Sequence, residues 1–218
     1  MRRARRPRFR IAVDIGGTFT DLVALDAGRV VAAVKVLTTP ADPSEAVEQG
    51  VAKLLERFDR AAVDEVVHGT TLVSNALIER KGARTALLTT KGFRDVLTIR
   101  RELRYDLYDL FLEMPEPLVP RRLRWELDER VLADGSVDRP LREDDVRRAA
   151  RAMRRAGIES VAVSLLHAYR TPRHEELAAA VVAEELPDVP VALSSEVSPE
   201  VGEYQRTSTT VANAYVLP

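Results

Sequence analysis

The segment IAVDIGGTFTDLVAL (11–25) constrains the fold more than any other part of this sequence. Two runs of β-forming residues, 10–14 and 19–26, are separated by little more than Gly16-Gly17-Thr18. A link that short joins neighbouring antiparallel strands. Asp26-Ala27-Gly28 supplies a second turn, and the valine-rich run 29–38 a third strand. The chain is therefore expected to open with a three-stranded antiparallel meander. Asp42-Pro43-Ser44-Glu45 then starts a helix: Asp caps it, Pro occupies the first turn, and Glu follows three residues after the cap. Val47, Val51, Leu54, Leu55 and Phe58 mark its apolar face.

Strands and helices alternate from there on. The expected strands are 65–68, 84–90, 123–132, 160–166 and 191–194, and the expected helices 72–80, 144–156, 172–186 and 199–216. Asp134-Gly135 turns the 123–132 strand into 136–139, and Val146, Ala149, Ala150 and Met153 form the stripe of the 144–156 helix. Segment 91–112 is mixed and ends at the prolines 115, 117 and 120, the one linker-like stretch. There is no internal repeat, and the pattern as a whole is α/β.

Composition bounds the chemistry. The 218 residues include no cysteine, which rules out a disulfide scaffold, thiol catalysis, Cys-ligated zinc and iron–sulfur clusters. His68, His167 and His174 are the only histidines, too few for most histidine-based metal sites. No apolar run approaches the roughly 20 residues that span a bilayer. The net charge of -1 hides an arginine-rich start: Arg2, Arg3, Arg5, Arg6, Arg8 and Arg10. Without them, 27 basic residues face 34 acidic ones. Such an arm could touch nucleic acid or anionic lipid, but no aromatic residue interleaves before Phe9, and a frayed leader is the simpler account. It lacks the apolar stretch of a secretory signal, so a cytoplasmic chain is expected, with neither nucleic acid nor membrane as partner.

Two motifs carry the chemistry. In Asp14-Ile15-Gly16-Gly17-Thr18-Phe19-Thr20-Asp21 a strand delivers a carboxylate, and two glycines then turn the chain with no side chain in the way. The N–H groups of Gly16, Gly17 and Thr18, with the hydroxyls of Thr18 and Thr20, could cradle phosphate, and Asp14 could hold Mg²⁺ through water. A plain β-hairpin fits the same residues, and the pattern is neither a P-loop nor a dinucleotide fingerprint. The second motif sets His68, Gly69, Thr70, Thr71 and Asn75 where a strand gives way to a helix. Either an anion site or a helix cap with a satisfied histidine fits it. Lesser groups are Arg100, Arg101 and Tyr105, which could grip an anionic substrate or be solvated surface, and His167 at a strand end. Glu203, Arg206 and Thr207–Thr210 recur at helical spacing and read as a polar helix face.

With IAVDIGGTFTDLV (11–23), VVHGTTLVSNALIERKGARTALLTTKGFRDVL (66–97), RYDLYDL (104–110) and YQRTSTTVANAYVLP (204–218), the chain resembles the N-terminal domain of the hydantoinase A / 5-oxoprolinase family. The resemblance implies an actin/Hsp70/sugar-kinase-type (ribonuclease H-like) lobe. Its mixed sheet would begin in the antiparallel meander and be flanked by helices. It implies a basic, disordered leader over 1–9, the family's N-terminal domain over 10–200, and the start of a second domain over 201–218. Members use ATP to open cyclic amides such as hydantoin and 5-oxoproline, or to carboxylate ketones. Carried over, Asp14, Gly16, Gly17, Thr18 and Thr20 would hold ATP and Mg²⁺, with Asp14 the metal ligand. His68, Thr70, Thr71 and Asn75 would join Asp14 as catalytic groups near the transferred phosphoryl, beside Gly69. Arg100, Arg101 and Tyr105 would be substrate contacts. The substrate oxygen would be activated by phosphorylation, with the protein positioning and neutralising charge.

Family members continue into a second domain, so the resemblance also implies a missing C-terminal domain or a partner subunit. Two other readings remain in view. A repressor/ORF-type sugar kinase also carries DIGGT, but its usual Cys-rich zinc motif is absent. A non-catalytic assembly module would fold and bind a partner without turning anything over.

Overall fold

The computed structural model describes residues 8–39, 41–102, 105–106 and 108–218. Leader positions 1–7, and positions 104 and 107 of the RYDLYDL motif, lie outside them. The chain divides into two compact units, 1–79 and 80–218. Among the described residues, no helix is long and apolar enough to cross a membrane.

The first unit holds the expected meander. Strands β1 (Phe9–Ile15), β2 (Phe19–Asp26) and β3 (Arg29–Leu37) pair antiparallel. A fourth strand, β4 (Val63–Thr70), pairs parallel with β1, giving a mixed sheet of order β3-β2-β1-β4. Alternation buries Ile11, Val13, Ile15, Leu22 and Ala24 on one face, where helix α1 (Pro43–Leu55) covers them. Asp42 caps α1 by accepting from the Ser44 N–H at 3.0 Å. β1 begins at Phe9, buried with its ring 4.4 Å from Phe58, so the fold reaches the last residue of the expected leader.

α1 does not present the stripe its large residues suggest. Ala46, Gly50 and Leu54 face the sheet, while Val47 and Val51 pack at the margin. Small residues let the helix approach closely, and a methyl group on Gly50 would overlap Leu22. Gly50→Val is therefore expected to destabilise the fold by about 2–3 kcal/mol through overpacking, read as a shift in the urea midpoint.

The second unit is built on a parallel sheet of order β10-β9-β5-β6. Its strands are β5 (Thr85–Thr90), β6 (Arg124–Leu127), β9 (Ser160–Ser164) and β10 (Val191–Leu193). β5 and β9 are buried along their whole length, as expected where both faces are covered. The flanking helices are α3 (Val96–Ile99), α4 (Glu143–Arg155), α5 (Arg173–Glu185), α6 (Ser194–Val197) and α7 (Glu203–Val216), preceded in the first unit by α2 (Leu72–Ile78). α4 buries Val146, Ala149, Ala150 and Met153, the stripe read from its periodicity. α7, within the stretch expected to open a further domain, packs on β9 and places Val211 and Ala214 in this unit's core.

One expected strand proves to be two. The run 123–132 breaks after β6, and β7 (Arg130–Val131) pairs instead with β8 (Val137–Arg139). The break drives Glu129 inward, where it accepts from the Thr90 hydroxyl and meets His174 Nδ1 at 2.6 Å. A buried carboxylate with its own partners outweighs continuation of the ladder.

Candidate functional site

The glycine turn of the first unit is held by side chains behind it. Gly16 N–H donates to the Phe19 carbonyl at 3.0 Å, and the Thr38 N–H to the Thr18 carbonyl at 3.0 Å. The Thr38 hydroxyl donates to the Gly16 carbonyl at 2.9 Å and shares a 2.9 Å hydrogen bond with the buried Thr20 hydroxyl. Two expectations change as a result. The Gly16 N–H is used to close the turn, and the Thr20 hydroxyl supports the turn from beneath. Among the described residues, the free donors on the outer side are the N–H groups of Gly17 and Thr18. Gly16 is glycine because a Cβ there would lie 2.9 Å from the Phe19 carbonyl oxygen. Thr38 escaped the sequence reading, since nothing but its position at the end of a strand marks it.

The two motifs, about fifty residues apart in sequence, meet through the parallel pairing of β1 and β4. The register sets Asp14 beside Gly69 and Ile15 beside Thr70. The Ile15 carbonyl accepts from the Thr71 N–H at 3.3 Å and from the Thr70 hydroxyl at 3.2 Å. Thr70 Oγ1 in turn accepts from the Leu72 N–H at 3.1 Å, so Thr70 also steadies the start of α2. Asn75, one turn into α2, rests against the glycine turn: a Cβ on Gly17 would be 3.3 Å from its Nδ2. That amide also reaches Thr71 Oγ1 at 3.4 Å. Thr71, Asn75, Gly17 and Thr18 thus share one locality.

Charge at this locality is simple. Asp14 and Asp21 face each other across β1 and β2, and Lys35 on the next strand pairs with Asp21 at 3.1 Å. Asp14 is exposed, and among the described residues it makes no ion pair or hydrogen bond. Gly69 beside it leaves open space. His68 is placed differently. It pairs in register with Val13, whose side chain is on the buried face, and strand alternation turns it away from the Asp14 face. The structure does not bring the His68 ring together with Asp14.

Residues 10–186 match the sequence family described as the hydantoinase/oxoprolinase N-terminal region. The chain belongs to that family. Caprolactamase subunit alpha of Pseudomonas jessenii is 38% identical over 221 residues, covering 98% of this chain and 32% of the relative. Among solved structures, the nucleotide-free acetone carboxylase superposes with a TM-score of 0.86 at 29% identity, covering 97% of this chain and 32% of its own. The ATP-dependent caprolactamase of Pseudomonas jessenii superposes with a TM-score of 0.82 at 40% identity, covering 94% and 31%. This hydantoinase/oxoprolinase region therefore spans about a third of the length of each of these proteins.

The remaining expected groups of the region lie in the second unit. Arg100 and Arg101 line one cleft, and Arg100 donates to the Pro115 carbonyl. Tyr105 is 79% exposed and does not line that cleft. The polar residues of α7 are not a solvated face: Arg206, Thr207 and Thr210 are all buried. His167, just past β9, adopts a left-handed backbone, φ 58°, and stands edge-on to Tyr169. Burial holds its imidazole below the usual 6.5, with Arg206 and Arg130 adding to the effect. A lowered folded value means a stabilising contribution that is present above pH 6.5 and lost as pH falls through the folded value. His167→Gln is expected to flatten stability against pH below 6.5, as measured by urea midpoints across that range.

Proposed function

We propose that this chain carries the nucleotide-phosphate site of an ATP-dependent enzyme that opens cyclic amides. The supporting observation is the β1–β4 register, which sets Asp14 beside Gly69 and carries Asn75 against Gly17. Bound there, ATP would supply a phosphoryl group that converts an inert amide oxygen into a leaving group. The Gly17 and Thr18 N–H groups would donate to phosphate oxygens, and the rigid Thr20–Thr38 support would keep them aimed without reorganisation. Asp14 suits Mg²⁺ held through water: it is unpaired, and among the described residues no three His, Cys, Asp or Glu cluster to form an all-protein cage. Thr71 and Asn75 would orient groups from the α2 side. His68, on the other face, would act only as a structural neighbour.

The relatives' names support the substrate class, because an ATP-dependent caprolactamase opens a cyclic amide. The acetone carboxylase superposition favours a second reading, ATP-dependent carboxylation of a ketone. In either case the remaining lobe of the site would come from further polypeptide, in the same chain or in a partner, and the assembly would work in the cytoplasm, where ATP is available. The test is to assemble that enzyme and measure phosphate release with hydantoin, 5-oxoproline, caprolactam, or acetone plus bicarbonate. Phosphate released in step with ring-opened product is expected. Release with acetone and bicarbonate alone would establish the second reading, and no substrate-dependent release would leave the assembly-module reading.

A further inference from the structure

Cross-strand register sets four residues in one row beside the glycine turn. Asp14 lies opposite Gly69 on β4 and opposite Asp21 on β2, and Asp21 lies opposite Lys35 on β3. Residues directly opposite one another share a face of the sheet. This face is turned away from α1, because the adjoining Val13, Leu22 and Val36 are buried with that helix. The row therefore holds two carboxylates and one cation, at the end of the sheet that carries the turn.

Two like charges directly opposite each other repel, so Lys35 already has a structural task in relieving Asp14 and Asp21. Its placement goes further than that. Nζ meets Asp21 Oδ2 at 3.1 Å and lies 4.8 Å from the centroid of the Phe19 ring. Phe19 directly follows Thr18 and is 43% exposed, so core packing does not account for a ring there. Ring and carboxylate together hold the ammonium between them. An ammonium has three N–H donors; Asp21 takes one, and among the described residues Lys35 makes no other ion pair.

The geometry points to Lys35 as a phosphate-contacting residue of the proposed nucleotide site, with Asp21 and Phe19 holding its ammonium and its remaining N–H groups donating to terminal phosphate oxygens. The inference deepens the nucleotide reading above and rests on it. Charge balance argues for it. A triphosphate brings several negative charges to a row that already holds two carboxylates, and Lys35 is the one cation in that row. Neighbouring strands are about 4.8 Å apart, so phosphates beside Asp14 lie one strand spacing from the Asp21–Lys35 pair. That gap is within reach of a four-carbon side chain. Asp21 is then a positioning residue, which keeps the flexible stem in place and stays paired while the ammonium donates elsewhere.

The test uses the assembled enzyme and reads binding rather than turnover. Calorimetric titration should give Lys35→Met a dissociation constant for MgATP about tenfold above the parent, the loss of one charged hydrogen bond, and an unchanged constant for adenosine. Lys35→Arg, which keeps the charge, should recover most of the affinity. MgATP should also slow acetylation of Lys35 by an amine-reactive ester, followed by peptide mass spectrometry, while exposed Lys53 on α1 keeps its rate. Equal MgATP affinity in parent and Lys35→Met, or acetylation of Lys35 at the same rate with and without MgATP, would overturn the inference. An equal loss of adenosine affinity would overturn it too, because a structural defect harms both ligands. Hydrogen exchange of the parent tells the two possible failures apart. Slower exchange at Gly17 and Thr18 on adding MgATP, with Lys35 indifferent, sinks only this inference; no change at Gly17 and Thr18 sinks the nucleotide assignment on which it rests.

Discussion

Asp14→Ala should lower ATP turnover of the assembled enzyme by about two to three orders of magnitude while leaving its folding stability within about 0.5 kcal/mol of the parent. The two halves of that expectation have different causes. Asp14 lies on the exposed face of β1, and among the described residues no donor or cation depends on it, so truncation leaves neither a cavity nor an orphaned partner. Its neighbour Asp21 cannot take over, because Lys35 already neutralises it at 3.1 Å. The proposed phosphate site would lose the one unpaired carboxylate among its described residues while keeping the backbone cradle. Turnover should therefore collapse more than nucleotide affinity does. Steady-state kinetics beside a thermal melt separate the two effects, and a variant that melts early yet turns over normally would reverse the assignment.

Arg206→Met is expected to do the opposite, costing about 3–5 kcal/mol of stability because it removes one member of a buried charged network. Arg206 is 1% exposed and donates to the Leu165 carbonyl at 3.1 Å, the Glu200 carbonyl at 3.1 Å and Ser194 Oγ at 3.2 Å. Its guanidinium also lies 5.5 Å from the Tyr169 ring centroid. Glu175, fully buried, is the charge that compensates it most, accepting from the Leu165 N–H, the Ser194 hydroxyl and the Ser195 N–H. Methionine keeps most of the volume but removes the donor to the Glu200 carbonyl, leaves the Leu165 carbonyl with the Ala168 N–H at 3.3 Å, and takes a compensating charge from Glu175. Burial already raises the Glu175 carboxyl above its usual 4.5. A raised folded value means stability that is full below 4.5 and lost as pH rises through the folded value. The deficit in Arg206→Met should therefore grow between acidic and neutral pH, which denaturant midpoints at several pH values will register.

Local rules made the first unit legible. The tight Gly16-Gly17-Thr18 link, the Asp42 cap and the β3 run each act over a few residues, and each forms as its chemistry requires. The α4 stripe was legible for the same reason. What stayed hidden depends on distant partners. No local pattern says that Asp14 lies beside Gly69, because that is a choice of parallel register between strands separated by two strands and a helix. Gly50 looks like a weak point in a helix until Leu22 is packed against it. Polar residues mislead most: Arg206 reads as part of a polar helix face, yet it is buried, as Glu129 and Glu175 are, because each satisfies other groups. In the proposed phosphate site, the motif residues were visible, but their division of labour was not. Thr20 and the Gly16 N–H hold the turn, leaving Gly17 and Thr18 to face outward.

Hydrogen exchange of the assembled enzyme, with and without MgATP, tests most directly whether the glycine turn and the start of α2 form one phosphate site. Peptides covering Gly17 and Thr18, and those covering Thr71 to Asn75, should both exchange more slowly when nucleotide is present, and Asp14→Ala should weaken both effects together. Protection confined to other segments, with these two unchanged in an enzyme that is turning over ATP, would contradict the account.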